Sequence, residues 1–284
     1  MKTLTNFALN LAATVLIMIA SATVAGAGAG SDTCVGLNAT NGGTCTPLTN
    51  TSSANNNNTA LGADAPETNT MGGDNTAIGV AALQANTAGF GNTAIGQASL
   101  QDNTTNGSNT AVGAFALQDN ITGSGNTSTG DGALNGNTTG DGNTAGGASA
   151  LQNNTTGDYN TAAGLTALVN NHTGQKNTAI GTAALQNNTT GSFNIGIGLG
   201  GGLSLTTGDN NIDIFDPGVA GEANTIRIGT QGTQTRTFIA GIFGGPTIKK
   251  GCDVVASDTG QLGCAKSAAR YKRDIRDMGD ASDK

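Results

Sequence analysis

A pentapeptide that returns every seventeen residues limits this chain more than anything else in it. Asn58-Thr59-Ala60-Leu61-Gly62 reappears as Asn75-Thr76-Ala77-Ile78-Gly79 and Asn92-Thr93-Ala94-Ile95-Gly96. It starts again at Asn109, Asn126, Asn143, Asn160, Asn177 and Asn194. Constant spacing without insertions makes each repeat one coil of a solenoid and stacks like residues into columns. Numbered from its asparagine, the repeat carries leucine at position 9, as in Leu83, Leu100, Leu117, Leu151 and Leu185. Position 12 is asparagine from Asn69 to Asn188, and position 15 is glycine in eight of the nine copies, Asn106 being the exception.

The coil reads as two short strands joined by turns, an all-β parallel β-roll or β-solenoid. Thr-Ala-Ile at positions 2 to 4 forms one strand, closed by the glycine at position 5. Ala-Leu-Gln at positions 8 to 10 is expected to centre the second. Asn-Thr-Thr-Gly at positions 12 to 15 reads as the return turn, because asparagine and glycine accept positive φ cheaply. Stacked asparagines are also able to bridge coil to coil through their amides. One coil offers only one leucine, one isoleucine and two alanines to a core, which predicts further burial against another chain. The column from Ala60 to Ala179 is the expected place for that close approach, giving a homotrimer. Position 4 weakens at Thr129, Gly146 and Ala163, so the rod is expected to be least stable at its middle.

Composition fits this architecture and argues against a compact enzyme core. Forty-six of 284 residues are glycine, aromatics are 3 % and charged residues 11 %, less than half the usual charged share. The net charge of −7 is modest, and there are only 4 prolines without a Gly-X-Y period, so neither disorder nor collagen is indicated.

The chain opens with Lys2 and an uncharged apolar run from Phe7 to Ala20, followed by small residues with cleavage points after Ala22, Ala25 or Ala27. This reads as a secretory signal peptide over residues 1–25; the rival is a retained membrane helix. No other stretch approaches eighteen apolar residues, so no transmembrane anchor is expected. Four cysteines suit an exported protein, secreted or on the outer cell surface. Cys252 and Cys264 flank the turn signal Asp258-Thr259-Gly260, which predicts a hairpin and a Cys252–Cys264 disulfide. Cys34–Cys45 follows by elimination.

The coil NTAIG…AL…NTTG resembles the head repeats of trimeric autotransporter adhesins of the YadA type over Asn58 to about Asn211. The resemblance implies a left-handed parallel β-roll that trimerises and binds another surface. A second resemblance lies in Ser267-Ala268-Ala269-Arg270-Tyr271-Lys272-Arg273-Asp274-Ile275, preceded by Thr237-Phe238-Ile239-Ala240-Gly241-Ile242. It is similar to the opening of the intramolecular chaperone domain of phage endosialidase tailspikes. In that family a serine and a lysine at this spacing, here Ser267 and Lys272, cut the chain after trimerisation. The chain ends at Lys284, soon after this motif begins, and the expectation is that the pair does not act. The residues alone read as a short amphipathic helix, with Ser267 as N-cap and Tyr271, Ile275 and Met278 on one face.

The expected organisation is a signal peptide (1–25), a leader with one cysteine pair (26–57), the β-roll head (58–210), transition strands (211–250), a cysteine-flanked hairpin (251–266) and the chaperone-like start (267–284). The lone His172 sits in a column of threonines and reads as an exposed turn residue. No metal site, cofactor or nucleic-acid partner is expected. The function expected is a trimeric adhesin or tail-fibre-like head that attaches to an unknown protein or glycan. The alternatives are a self-cleaving fibre precursor and an ice-binding solenoid built on the threonine column at position 2.

Overall fold

A computed structural model describes residues 57–62, 64–65 and 69–236, with the backbone of four strands outside that range. Those four are β1 (Ala22–Val24), β2 (Thr33–Leu37), β14 (Val254–Ala256) and β15 (Leu262–Cys264). The chain divides into two units, residues 1–230 and 231–284.

The first unit is an all-β parallel solenoid of about ten turns. β3 (Thr59–Leu61) begins a run of three-residue strands that recurs every seventeen residues to β10 (Thr178–Ile180), β11 (Ile195–Ile197) and β12 (Ile212–Ile214). Each pairs parallel with the next in strict register: Thr59 beside Thr76, Ala60 beside Ala77, Leu61 beside Ile78. β1 lies within the segment read as a targeting sequence and pairs antiparallel with β2, which pairs parallel with β3.

The sheet continues beyond the boundary expected near residue 210. β13 (Ile226–Ile228) pairs with β12, Ile212 beside Ile226. The step has shortened from seventeen residues to fourteen, and the missing residues come out of the loop rather than the strand.

The second expected strand does not form. Positions 6 to 11 are a run of turns, and every position-9 leucine from Leu83 to Leu185 holds a left-handed backbone, φ 49 to 57. Position 7 is left-handed as well, for example Ala98 and Phe115. These corners turn the leucines inward, where all seven are fully buried. A leucine in this conformation is strained by roughly 1–2 kcal/mol. Burying it returns about 1.5–3 kcal/mol, so burial offsets the strain.

The return turn differs too. Asn at position 12 and Gly at position 15 are not left-handed; positions 5 and 17 are. The position-15 glycine is required by space. A Cβ on Gly140 would clash with the Gly157 carbonyl oxygen and with Asn137 Oδ1. Gly125, by contrast, is left-handed with φ 67 and has open space around its Cα. We expect Gly140→Ala to destabilise by about 3 kcal/mol through overpacking. Gly125→Ala should cost only the left-handed penalty of about 1 kcal/mol. Urea denaturation of the two variants checks the order.

The alanine column also lies elsewhere than expected. Ala60, Ala77, Ala94, Ala111, Ala145, Ala162 and Ala179 are buried inside the coil, and Ser128 in the same column donates its hydroxyl to the Ala133 carbonyl at 2.7 Å. They meet the leucines from the opposite wall and are not offered to another chain. Strand alternation then points positions 2 and 4, threonine and isoleucine, outward. The gaps at Thr129, Gly146 and Ala163 therefore weaken the outer surface and not the core, and the expected soft middle loses its basis. The interior is one leucine thick, too narrow for a ring. All five described aromatics, Phe90, Phe115, Tyr159, Phe193 and Phe215, are exposed.

Two buried asparagine ladders complete the core. At position 1, Asn75 Oδ1 accepts the Asn92 N–H at 2.9 Å, and Asn75 Nδ2 donates to the Gly89 carbonyl at 2.8 Å. The same pattern runs through Asn92, Asn109, Asn160 and Asn177. At position 12, Asn154 Nδ2 donates to Asn137 Oδ1 at 2.8 Å and to the Gly157 carbonyl at 2.9 Å, and its own Oδ1 accepts from Asn171 at 2.7 Å. A neutral amide is donor and acceptor at once, so identical residues satisfy one another along the stack.

In the second unit β14 and β15 pair antiparallel, as the hairpin reading expected. The register sets Val254, not Cys252, opposite Cys264. Cys45, Cys252, Ser267, Lys272 and the expected short helix lie outside the described residues. Cys34 lies in β2, in register with Ala60.

Candidate interaction face

The outward sheet face is a regular surface made of two side-chain columns that run the length of the strands' stack. Its strands are about 4.8 Å apart, and the two outward positions of each strand are about 6.6 Å apart. One column is threonine from Thr59 to Thr178 and then Ile195, Ile212 and Ile226. The other is Leu61, Ile78, Ile95, Val112, the polar or small gap at 129, 146 and 163, and then Ile180, Ile197, Ile214 and Ile228. The apolar character therefore concentrates in the last three strands, where both columns are isoleucine. Ile226 is 67 % exposed and Ile228 70 %.

Beneath this end of the face the core columns turn from neutral to charged. Asp213 takes the alanine place, Glu222 the place of a position-15 glycine, its carbonyl accepting from Asn211 Nδ2 at 2.9 Å, and Arg227 pairs beside Asp213 in register. Arg227 gives its guanidinium to Glu222, Nε to Oε1 at 2.9 Å and Nη2 to Oε2 at 2.7 Å. That hydrogen bond, ahead of the other contributions, holds the Glu222 carboxyl below its ordinary range. Asp213 is left fully buried with neither carboxylate oxygen hydrogen-bonded. Burial, then the charges of Glu222 and Asp216, push its pKa up to about 7, against a smaller opposing pull from Arg227. Asp119 is raised more modestly, by burial and by Asp102 one coil away.

The position-1 and position-12 asparagines and the position-9 leucines named from the sequence are all interior and hold the coil together. His172 is exposed in its turn. Among the described residues no group of three or more His, Cys, Asp or Glu is placed to hold a metal ion, and no helix is long and apolar enough to cross a membrane. The sequence reading missed the charged end of the core, although Asp213 falls in phase with the alanine column and was visible there. Comparison with family models, with curated proteins and with solved structures gives no match.

Proposed function

We propose that this chain is an exported structural protein, a fibre head in which three rods pack through their Thr/Ile faces and the remaining surfaces attach to a target. The observation that carries the reading is the block Ile195, Ile197, Ile212, Ile214, Ile226 and Ile228 on the outer face. Ile226 and Ile228 are exposed and the other four are half-buried, and a contiguous apolar patch at the surface marks an interaction site. A parallel partner sets isoleucine against isoleucine and threonine against threonine. Three copies is the number implied by the resemblance to trimeric adhesin heads. Export follows from the signal-like N-terminus, and no catalytic role is assigned.

Light scattering on the mature chain is expected to give three times the chain mass. Ile197→Lys with Ile214→Lys is expected to lower that mass, because two ammonium groups cannot be buried unpaired. A stable folded monomer of the parent chain overturns the proposal.

The outward threonine column favours a second reading, an ice-binding face, because its hydroxyls are held in register at a fixed spacing. Thermal hysteresis of the purified chain tests it. The two readings compete for one surface, so a trimer that buries the face excludes ice binding there.

A further inference from the structure

The sheet ends on a strand that export is expected to remove. β1 (Ala22–Val24) stands at one end of the thirteen-stranded order and pairs antiparallel with β2, Ala22 beside Leu37, Thr23 beside Gly36 and Val24 beside Val35. On its other side β2 pairs parallel with β3 through Thr33, Cys34 and Val35. β1 thus covers the N-terminal edge of the solenoid, as a capping repeat does in other stacked architectures. Cleavage after Ala25 or Ala27 takes all of β1 away.

The edge left behind is Val35, Gly36 and Leu37, whose backbone groups on that side lose their partners. Such an edge takes up another strand. The residues next to it in the chain do not replace β1. Gly26-Ala27-Gly28-Ala29-Gly30-Ser31-Asp32 holds no β-branched or aromatic residue, and glycine, alanine and aspartate are depleted in strands. The observed pairing selects the partner instead. The edge accepts an antiparallel strand, and the same segment of a second copy meets it antiparallel about a two-fold axis. With that axis at Gly36, Val35 faces the second copy's Leu37, Gly36 faces Gly36, and Leu37 faces Val35. The three residues that held β1 then hold the copy, and the pair on the axis has no side chain to keep the strands apart.

We propose that removal of β1 turns the β2 edge into a docking strand for a second copy, joining two rods end to end through antiparallel β2 strands. The contact is isologous, so it closes after two partners and does not propagate. It joins the rods at their N-terminal ends and leaves the Thr/Ile faces free to pack side by side. The inference rests on the export reading for the cleavage and is independent of the number of rods in a head.

Light scattering over a range of concentrations compares two chains, one beginning at Gly26 and one beginning at Ser21, which keeps β1. On concentration the chain from Gly26 is expected to rise from the mass of a single head to twice that mass, and the chain from Ser21 to stay at the single-head mass. Val35→Lys with Leu37→Lys sets lysine opposite lysine in both outer pairs. It is expected to abolish the doubling, because like charges directly opposite destabilise an antiparallel pair. Val35→Glu with Leu37→Lys sets glutamate opposite lysine and is expected to restore it. No doubling, equal doubling with β1 retained, or doubling that survives the paired lysines overturns the inference. So does a Glu/Lys variant that fails to double while its circular dichroism and single-head mass match the parent. Mass spectrometry of the exported chain tests the cleavage separately. An N-terminus at Gly26 or Gly28 is expected, and an exported chain that keeps Ala22–Val24 overturns the inference whatever its mass. A trimer that never doubles sinks the end-to-end contact and leaves the fibre head intact. A monomer that doubles does the reverse.

Discussion

Asn154→Asp is expected to split the solenoid's unfolding into two transitions, with a loss of about 4 kcal/mol at the central coils. Asn154 is fully buried and makes three hydrogen bonds, donating to Asn137 and to the Gly157 carbonyl and accepting from Asn171. Aspartate replaces its donor with an acceptor that faces two acceptors. Each buried group left unsatisfied costs about 1–3 kcal/mol, more where charge is involved. A solenoid's stability is approximately a sum of repeat and nearest-neighbour terms, so the damage stays at the interfaces of one coil. Hydrogen exchange should show loss of protection near residues 137–171, with the end coils still protected. A single cooperative transition at unchanged midpoint would show that the amide ladder contributes little. Asn154→Ala should cost less than Asn154→Asp, because it orphans its neighbours without adding a charge.

The second large effect is on pH. Asp213 is an acid whose folded pKa, about 7, lies above its ordinary value of 3.8. The folded chain therefore holds a proton that the unfolded chain gives up. Stability is full below about pH 4, falls as pH rises to about 7, and is flat above. At about 1.4 kcal/mol per unit, the loss across that window is about 4 kcal/mol. Glu222 is shifted the other way by Arg227, so its contribution is lost only as pH falls through its low folded pKa, outside the window from 5 to 7. Asp213→Asn should remove most of the slope and make the chain more stable than the parent at pH 8, with little difference at pH 4. Thermal melting of residues 195–230, followed by hydrogen exchange at several pH values, reads this directly. An equal slope in parent and variant would refute it.

The sequence made the first strand of every coil legible because Thr-Ala-Ile-Gly combines period-two alternation with a terminating glycine. It did not reveal the leucine corners. Left-handed backbone is usually announced by glycine or asparagine, and here leucine accepts the strain because only a large side chain at position 9 fills the interior. For the same reason the two sides of the strand are easily exchanged on paper. Isoleucine is the larger and more apolar residue, but Leu83 and its equivalents already occupy the space, so only alanine fits beneath the sheet. The asparagine columns were legible as stacks. Their partners, the position-15 carbonyls, are backbone atoms, and no residue type announces them.

Strict register has a consequence for the length of the molecule. Each coil presents the same amides, the same leucine and the same strand edge to the coil on either side, so the interface between any two central coils is interchangeable with the next. Duplicating or deleting one block of seventeen residues preserves the strand pairing, the amide ladders and the leucine stack and changes the rod by one strand spacing, about 4.8 Å. Any other insertion within the strand or its asparagine shifts a column out of line. The one shortened step among the described residues lies between β12 and β13, beside the charged end, where the described sheet has a neighbour on one side only. The repeat therefore acts as a ruler: unequal recombination between copies yields rods of graded reach that carry the same two ends.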